Sequence, residues 1–484
     1  VASIYETSAD IIGFRGLNQA GDGYNLSMQY ARELKNVNIT GGRFAPMREG
    51  KMIAQTLPAP IGTLACLSRR YGVAEDERNV LVAVAGGHIY TKLLDHDDEW
   101  IARSVTAEGG GALPVQSDYF DYVTYEVNEE GSDPIDVLIM SNAVDGMLVL
   151  YGNDLHIVQV GTPYKFGTIA RHNERIWGSG IIGMPDSLVY SAPYDPFNWE
   201  PNEEIPEDGG GEIMSPSWDG DAFIALKPYG SQLLAFKKNA IWRVLGTDPG
   251  EFIVREQYGH GAMHENTICP YNDVVYMLGF GGLMRYDGAL VLPFKPEEAS
   301  GVLRNRMNWD AVDQTCAVIR DRTYCLAIPL DGSTVNNAVL EYNCGEGTFT
   351  LRENTSVKAF LKVDDRIFYT SATTPGCVFE MADEGLALPV HWESGFQDLG
   401  AKSAVKSTFV VYFIADAPTP FDLTIGIRTE KKLKNKRIHV KPGKPYRTQL
   451  NVQGRFFRLE LDSSTIVPYS IDGGIRLTME LDPD

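Results

Sequence analysis

VLVAVAGGHIYTKLL, residues 80–94, decides the fold. Two apolar, β-branched runs flank a Gly-Gly pair, the chemistry of a two-residue turn between antiparallel strands. The same grammar recurs along the chain. It is found in DVLIMSNAVDGMLVLYG (136–152), RIWGSGIIGMPDSLVYSAP (175–193), AFIALKPYGSQLLAFKKNAIWRVLG (222–246), VVYMLGFGGLMRYDGALVLPF (274–294), TCAVIRDRTYCLAIPL (315–330) and AFLKVDDRIFYTSATTPGCVFEM (359–381). Each couples an apolar strand, a turn of Gly, Asn or Asp, and a second strand carrying an aromatic. Such units at roughly 30–50 residue spacing suit the blades of a propeller. Consecutive hairpins left open would expose many strand edges, and radial closure removes most of them. The expected fold is therefore all-β: a β-propeller of about seven blades over 51–390, with two stacked sandwiches as the other arrangement.

The flanks read differently. Residues 1–50 are expected to be an N-terminal extended arm carrying one short helix, LSMQYARELK (26–35). In FDLTIGIR (421–428), RFFRLELD (455–462) and IRLTMELD (475–482), apolar and polar residues alternate, as in strands with one wet face. Residues 391–484 accordingly read as a C-terminal β-sandwich or barrel.

At 484 residues the chain exceeds one ordinary core. Its formal net charge of −21 argues against global binding to nucleic acid phosphates. The six cysteines include no C-x-x-C pair, and free buried thiols in a reducing cytosol are expected. The opening VASIYETSAD is too polar for a signal segment, and the longest apolar stretch, Phe409 to Ala415, is too short to span a bilayer, so no membrane insertion is expected.

Several stretches touch on chemistry. SAPYDPFNW (191–199) resembles the "Asp box" turn of sugar-cleaving propellers, but its spacing is stretched and its glycine is missing. Asp195 and Pro196 are expected to build a turn, and Trp199 to bury its ring beside the preceding strand. GSGIIG (178–183) fits G-x-G-x-x-G literally, yet Pro185 and a β-rich run deny it the helix that a dinucleotide site requires. In HGAMHE (260–265), His260 and His264 lack the order of a zincin and sit among glycines. The acidic turns DHDDEW (95–100) and WDGD (218–221) complete no EF-hand spacing. No catalytic residue, cofactor or metal ligand is expected.

One basic run stands out: RTEKKLKNKRIHVKPGKPYR (428–447). Lys431, Lys432, Lys434, Lys436, Arg437, Lys441 and Lys444 either guard an edge strand or form an interface with an acidic neighbour, such as another copy of this chain. With Tyr446 as its one aromatic, the run is poorly suited to a single-strand DNA groove.

LKNVNITGGRFAPMREGK (34–51) resembles the opening of tail hub or nozzle proteins of short-tailed bacteriophages. LVYSAPYDPFNWEP (188–201) is similar to a turn of their propellers. QDLGAKSAVKSTFVVYF (397–413), GRFFRLEL (454–461) and PYSIDGGIRLTMEL (468–481) are similar to their closing β-domain. The resemblance implies a non-enzymatic virion protein of the tail, assembled in the host cytoplasm. Its copies, typically six, would form a ring below the portal adaptor, retain packaged DNA without sequence-specific contacts, and dock fibre or plug proteins. The alternatives are a glycan- or receptor-binding propeller at a tail tip, with Tyr229, Tyr258 and Tyr271 as candidate platforms, and a glycoside-hydrolysing propeller.

Overall fold

A computed structural model describes residues 5–482 apart from 22, 25, 97–98, 129–132, 218–219, 258 and 383. The opening hairpin is the centre of the first blade. Asn79–Ala85 and His88–Leu93 pair across Gly86 and Gly87, at φ 59° and 74°, backbone that only glycine adopts without strain. Both turn amides donate to the Asp118 carboxylate, at 2.9 and 2.8 Å. Ile61–Ser68 lies inside this pair and Ile101–Arg103 outside it.

Six more sheets follow in chain order, antiparallel except where Val105–Ala107 pairs parallel with Ile157–Val160, so the described residues form seven blades. Every hairpin expected from the sequence falls in a different blade. The second blade is widened on its outer side by two short strands, Val105–Ala107 and Ala112–Leu113. The innermost strands meet side by side, and Ala359–Val363 of the seventh blade touches Ile61–Ser68 of the first. The ring is closed: the chain is an all-β propeller.

Each blade is sandwiched between two others, so both faces of its strands are buried and their sequences read as continuous apolar runs. Val80 to Val84 are all fully buried. The cores accordingly lie between blades. Leu138, Met140 and Leu148 of the second blade meet Val80, Val82 and Val84 of the first, while Leu361 and Phe368 of the seventh meet Leu81 and Ala83 on the opposite face.

The seventh blade takes its outer strand from ahead of the first. Met52 pairs with Phe379 and Lys51 with Glu380, and Leu57 N–H donates to Gly376 O at 2.9 Å. Closure therefore depends on a two-residue strand too short to carry a periodicity of its own.

A β-sandwich packs on the ring. One sheet has the order Tyr5–Ile11, Ser470–Asp482, Val405–Asp416, Pro445–Leu450; the other, Ala31–Lys35, Val390–Ser394, Phe457–Ser463, Phe421–Thr429, Leu433–Val440. Trp392, Phe409, Leu423, Ile425, Leu459 and Ile475 fill the space between them, in a core continuous with the sixth blade through Phe349 and Leu351.

Over its described residues, the segment expected to be an extended arm is thus built into the sandwich and against the sixth blade. Phe14 lies 5.0 Å from Phe44 and 5.4 Å, edge-on, from Trp392. Leu17 N–H donates to Phe349 O at 2.7 Å, and Asn36 N–H to Leu351 O at 2.8 Å. The expected helix over 26–35 is absent: Ala31–Lys35 is a strand paired with Val390–Ser394. A bulge between Ala31 and Glu33 shifts the register, so Ala31 and Leu34 both face the core three residues apart. Bulged, a strand imitates the spacing of a helix face.

Candidate functional site

The turn 191–199 is a structural corner. Tyr194 takes φ 61°, and Asp195 Oδ1 accepts the N–H of Phe197 at 3.1 Å. Pro196 begins the return, and Ala192 N–H donates to Asn198 O at 2.7 Å. Trp199 is buried with its ring 4.9 Å from that of Phe166, between the second and third blades. The glycines of 178–183 end one strand and enter a turn closed by Met184 N–H on Ile181 O. His260 is exposed, while His264 Nδ1 accepts the N–H of Asn266 at 3.3 Å, so the two imidazoles serve different ends. Residues 97, 98, 218, 219 and Tyr258 lie outside the described residues. Tyr229 donates to Asp273 O at 2.7 Å and packs on Tyr286, and Tyr271 packs against the core shared with the sandwich.

Two cavities share the ring axis and meet at Asp121 and Tyr122. One, about 490 Å³, is bordered by Cys66, Arg171, Lys227 and Lys362. The other, about 180 Å³, is bordered by Thr63, Tyr119, Glu265 and Asn266. Burial pushes the Cys66, Cys269 and Cys325 thiols up to about 12, and raises Cys316 and Cys344 as well. All six cysteines are free.

The basic run spans the end of the five-stranded sheet, through Leu433–Val440, and the start of Pro445–Leu450 in the four-stranded sheet. Phe421–Thr429 pairs with Leu433–Val440, whose other edge is open. The arginines of the run are engaged: Arg437 with Asp422 at 2.5 Å, Arg428 with Glu460 at 2.5 Å, and Arg447 with the Tyr412 hydroxyl at 3.0 Å. Lys431, Lys432, Lys434, Lys436, Lys441 and Lys444 are exposed, with no ion-pair partner among the described residues.

Next to this hairpin, on the outer face of the same sheet, lies a cluster that reading the sequence missed. Glu33, His391 and Glu393 each bring a ligand atom within 4.8 Å of the others. His391 Nδ1 is 2.6 Å from Asp462 Oδ1, and its Nε2 faces Glu33 Oε2 at 3.7 Å. Glu393 is buried, with Arg458 Nη1 2.5 Å from its Oε1. Burial pushes the Glu393 carboxyl up to about 7 against the pull of Arg458, and Glu33 and Glu460 add to the rise. The Asp462 hydrogen bond raises the His391 imidazolium, with burial opposing it. The legible signal was His-x-Glu in HWES (391–394), which places both side chains on one strand face. Glu33 joins them only through strand pairing.

No family model matches the chain, and neither does any curated protein. Among solved structures the chain is similar to BBS1N in complex with ARL6DN, at 11% identity and TM-score 0.41 over 69% of this chain and 98% of that one. It is also similar to the Pan2 WD40 domain of Neurospora crassa, at 10% identity and TM-score 0.40 over 70% and 97%. A third is Hsv2 of Kluyveromyces lactis, at 10% identity and TM-score 0.33 over 62% and 87%. At these scores nothing about function passes to this chain, and the propeller assignment rests on the order of its own sheets.

Proposed function

We propose that the chain is a non-enzymatic scaffold of a short-tailed phage virion, a tail hub or nozzle subunit whose copies ring the DNA exit channel. The observation that carries this reading is the distribution of charge. On a chain of net charge −21, six lysines without an ion-pair partner among the described residues are gathered on the strand Leu433–Val440 and the turns at its two ends, beside an edge that pairs with no described strand. Such an edge attracts an acidic surface, and the neighbour at hand in a ring is another copy. Two further features support a scaffold. Tyr5–Ile11 and Ser470–Asp482 pair within one sheet of the sandwich, a rigid base for a ring. Burial raises the Cys66, Cys269 and Cys325 thiols to about 12, the reverse of what a nucleophile needs. In this proposal DNA runs through the channel between subunits, along the axis of the ring of copies.

The test is the mass of the purified chain at low and high salt, beside a Lys434→Glu, Lys436→Glu, Lys441→Glu variant. The expected result is a closed oligomer at low salt that dissociates as salt screens the contact, and a variant that stays monomeric with an unchanged melting temperature. Identical assembly of the two proteins would overturn the role of the hairpin.

A further inference from the structure

Antiparallel pairing sets Glu33 directly opposite Glu393. Like charges placed so are destabilising unless something lies between them. His391, two residues from Glu393, projects from the same face and turns Nε2 toward Glu33. Around them stand four carboxylates, of Glu33, Glu393, Glu460 and Asp462, against the guanidinium groups of Arg428 and Arg458. The cluster holds more negative charge than its arginines balance. Glu393 is also incompletely served. Its buried Oε1 accepts no well-aligned hydrogen bond, and the Arg458 contact is an ion pair off that geometry.

We propose that Glu33, His391 and Glu393 bind a first-row divalent cation of the zinc type. An imidazole nitrogen with two carboxylates suits such an ion, whereas calcium and magnesium favour all-oxygen sets. Asp462 is the positioning group: it accepts from Nδ1–H and leaves Nε2 unprotonated toward the ion, the arrangement that usually backs a ligating histidine. Ligand atoms on a tetrahedral zinc at about 2.1 Å lie about 3.4 Å apart. The present spread of up to 4.8 Å therefore closes by up to about 1.4 Å, and Glu33, the exposed member, is placed to make that movement. Remaining coordination positions would face solvent. The ion would join the strand Ala31–Lys35 from the start of the chain to Val390–Ser394 near its end, pinning the N-terminal segment where it enters the sandwich.

The test uses full-length protein stripped with chelator and titrated with Zn²⁺ by calorimetry, and separately with Co²⁺ by visible absorption. Wild type is expected to bind one equivalent that Glu33→Gln weakens at least ten-fold and His391→Ala removes. Asp462→Asn is expected to weaken binding by about 10–100-fold without changing stoichiometry. Co²⁺ is expected to show d–d bands without thiolate charge transfer, which sets the site apart from the six cysteines. Glu33→Gln changes one exposed side chain isosterically, and its unchanged circular dichroism would certify the fold. Absent binding, equal affinity in wild type and Glu33→Gln, or a thiolate signature would each overturn the proposal.

Discussion

Phe14→Ala separates a structural N-terminal segment from a loose arm. The Phe14 ring is 2% exposed and touches both Phe44 and Trp392. Truncating a buried phenylalanine costs about 3–5 kcal/mol once the cavity is counted. The edge-on Trp392 contact adds coupling of about 0.5–1.5 kcal/mol, measurable in a double-mutant cycle with Trp392→Phe. A residue on a detached arm would cost no more than about 0.5 kcal/mol. The assay is urea unfolding followed by far-UV circular dichroism, which Trp392→Phe leaves readable, with the sandwich transition identified as the one that Trp392→Phe shifts. Its midpoint is expected to fall sharply in Phe14→Ala, while later transitions of the ring shift little. A loss below about 1 kcal/mol would refute the claim that the chain's beginning is built into its end.

Gly16→Ala would set a Cβ 2.2 Å from Phe349 O and break the seam to the sixth blade; a loss of about 1–3 kcal/mol or more is expected, read by thermal unfolding. Trp199→Ala should cost about 3–5 kcal/mol and Asp195→Ala about 0.5–1.5 kcal/mol in the same assay, as members of a turn. In chelator, the sandwich should lose stability as pH rises. Glu393, raised from 4.5 to about 7, keeps its proton in the fold where the unfolded chain has lost it, so its contribution drains away between those values. His391 is raised from 6.5, so its share is intact below pH 6.5 and fades as pH climbs through the folded value. Denaturant midpoints across pH 4–8 check this, and a midpoint rising over that range would contradict it.

The propeller was legible because each hairpin carries its own turn chemistry and its own apolar strands, local signals that survive without knowledge of neighbours. What was not legible depends on pairing between distant segments. Lys51–Met52 is a strand only because Phe379 and Glu380 offer an edge. Ala31–Lys35 read as helical because a bulge converts alternation into a spacing of three. The same pairing brings Glu33 to His391 and Glu393, so the cluster's third member was hidden although two of its members stand visibly in HWES. The lysine-rich run could be read at once as an edge guard or an interface, and its arginines proved to be spoken for within the two sheets of the sandwich.

The most direct measurement is single-particle imaging of the assembled oligomer at a resolution that places strands. The account predicts a closed ring in which the Leu433–Val440 hairpin of each copy lies against an acidic surface of the next, around a channel wide enough for duplex DNA. A monomer under every ionic condition, or a ring whose subunits meet elsewhere and leave the six lysines in solvent, would contradict it.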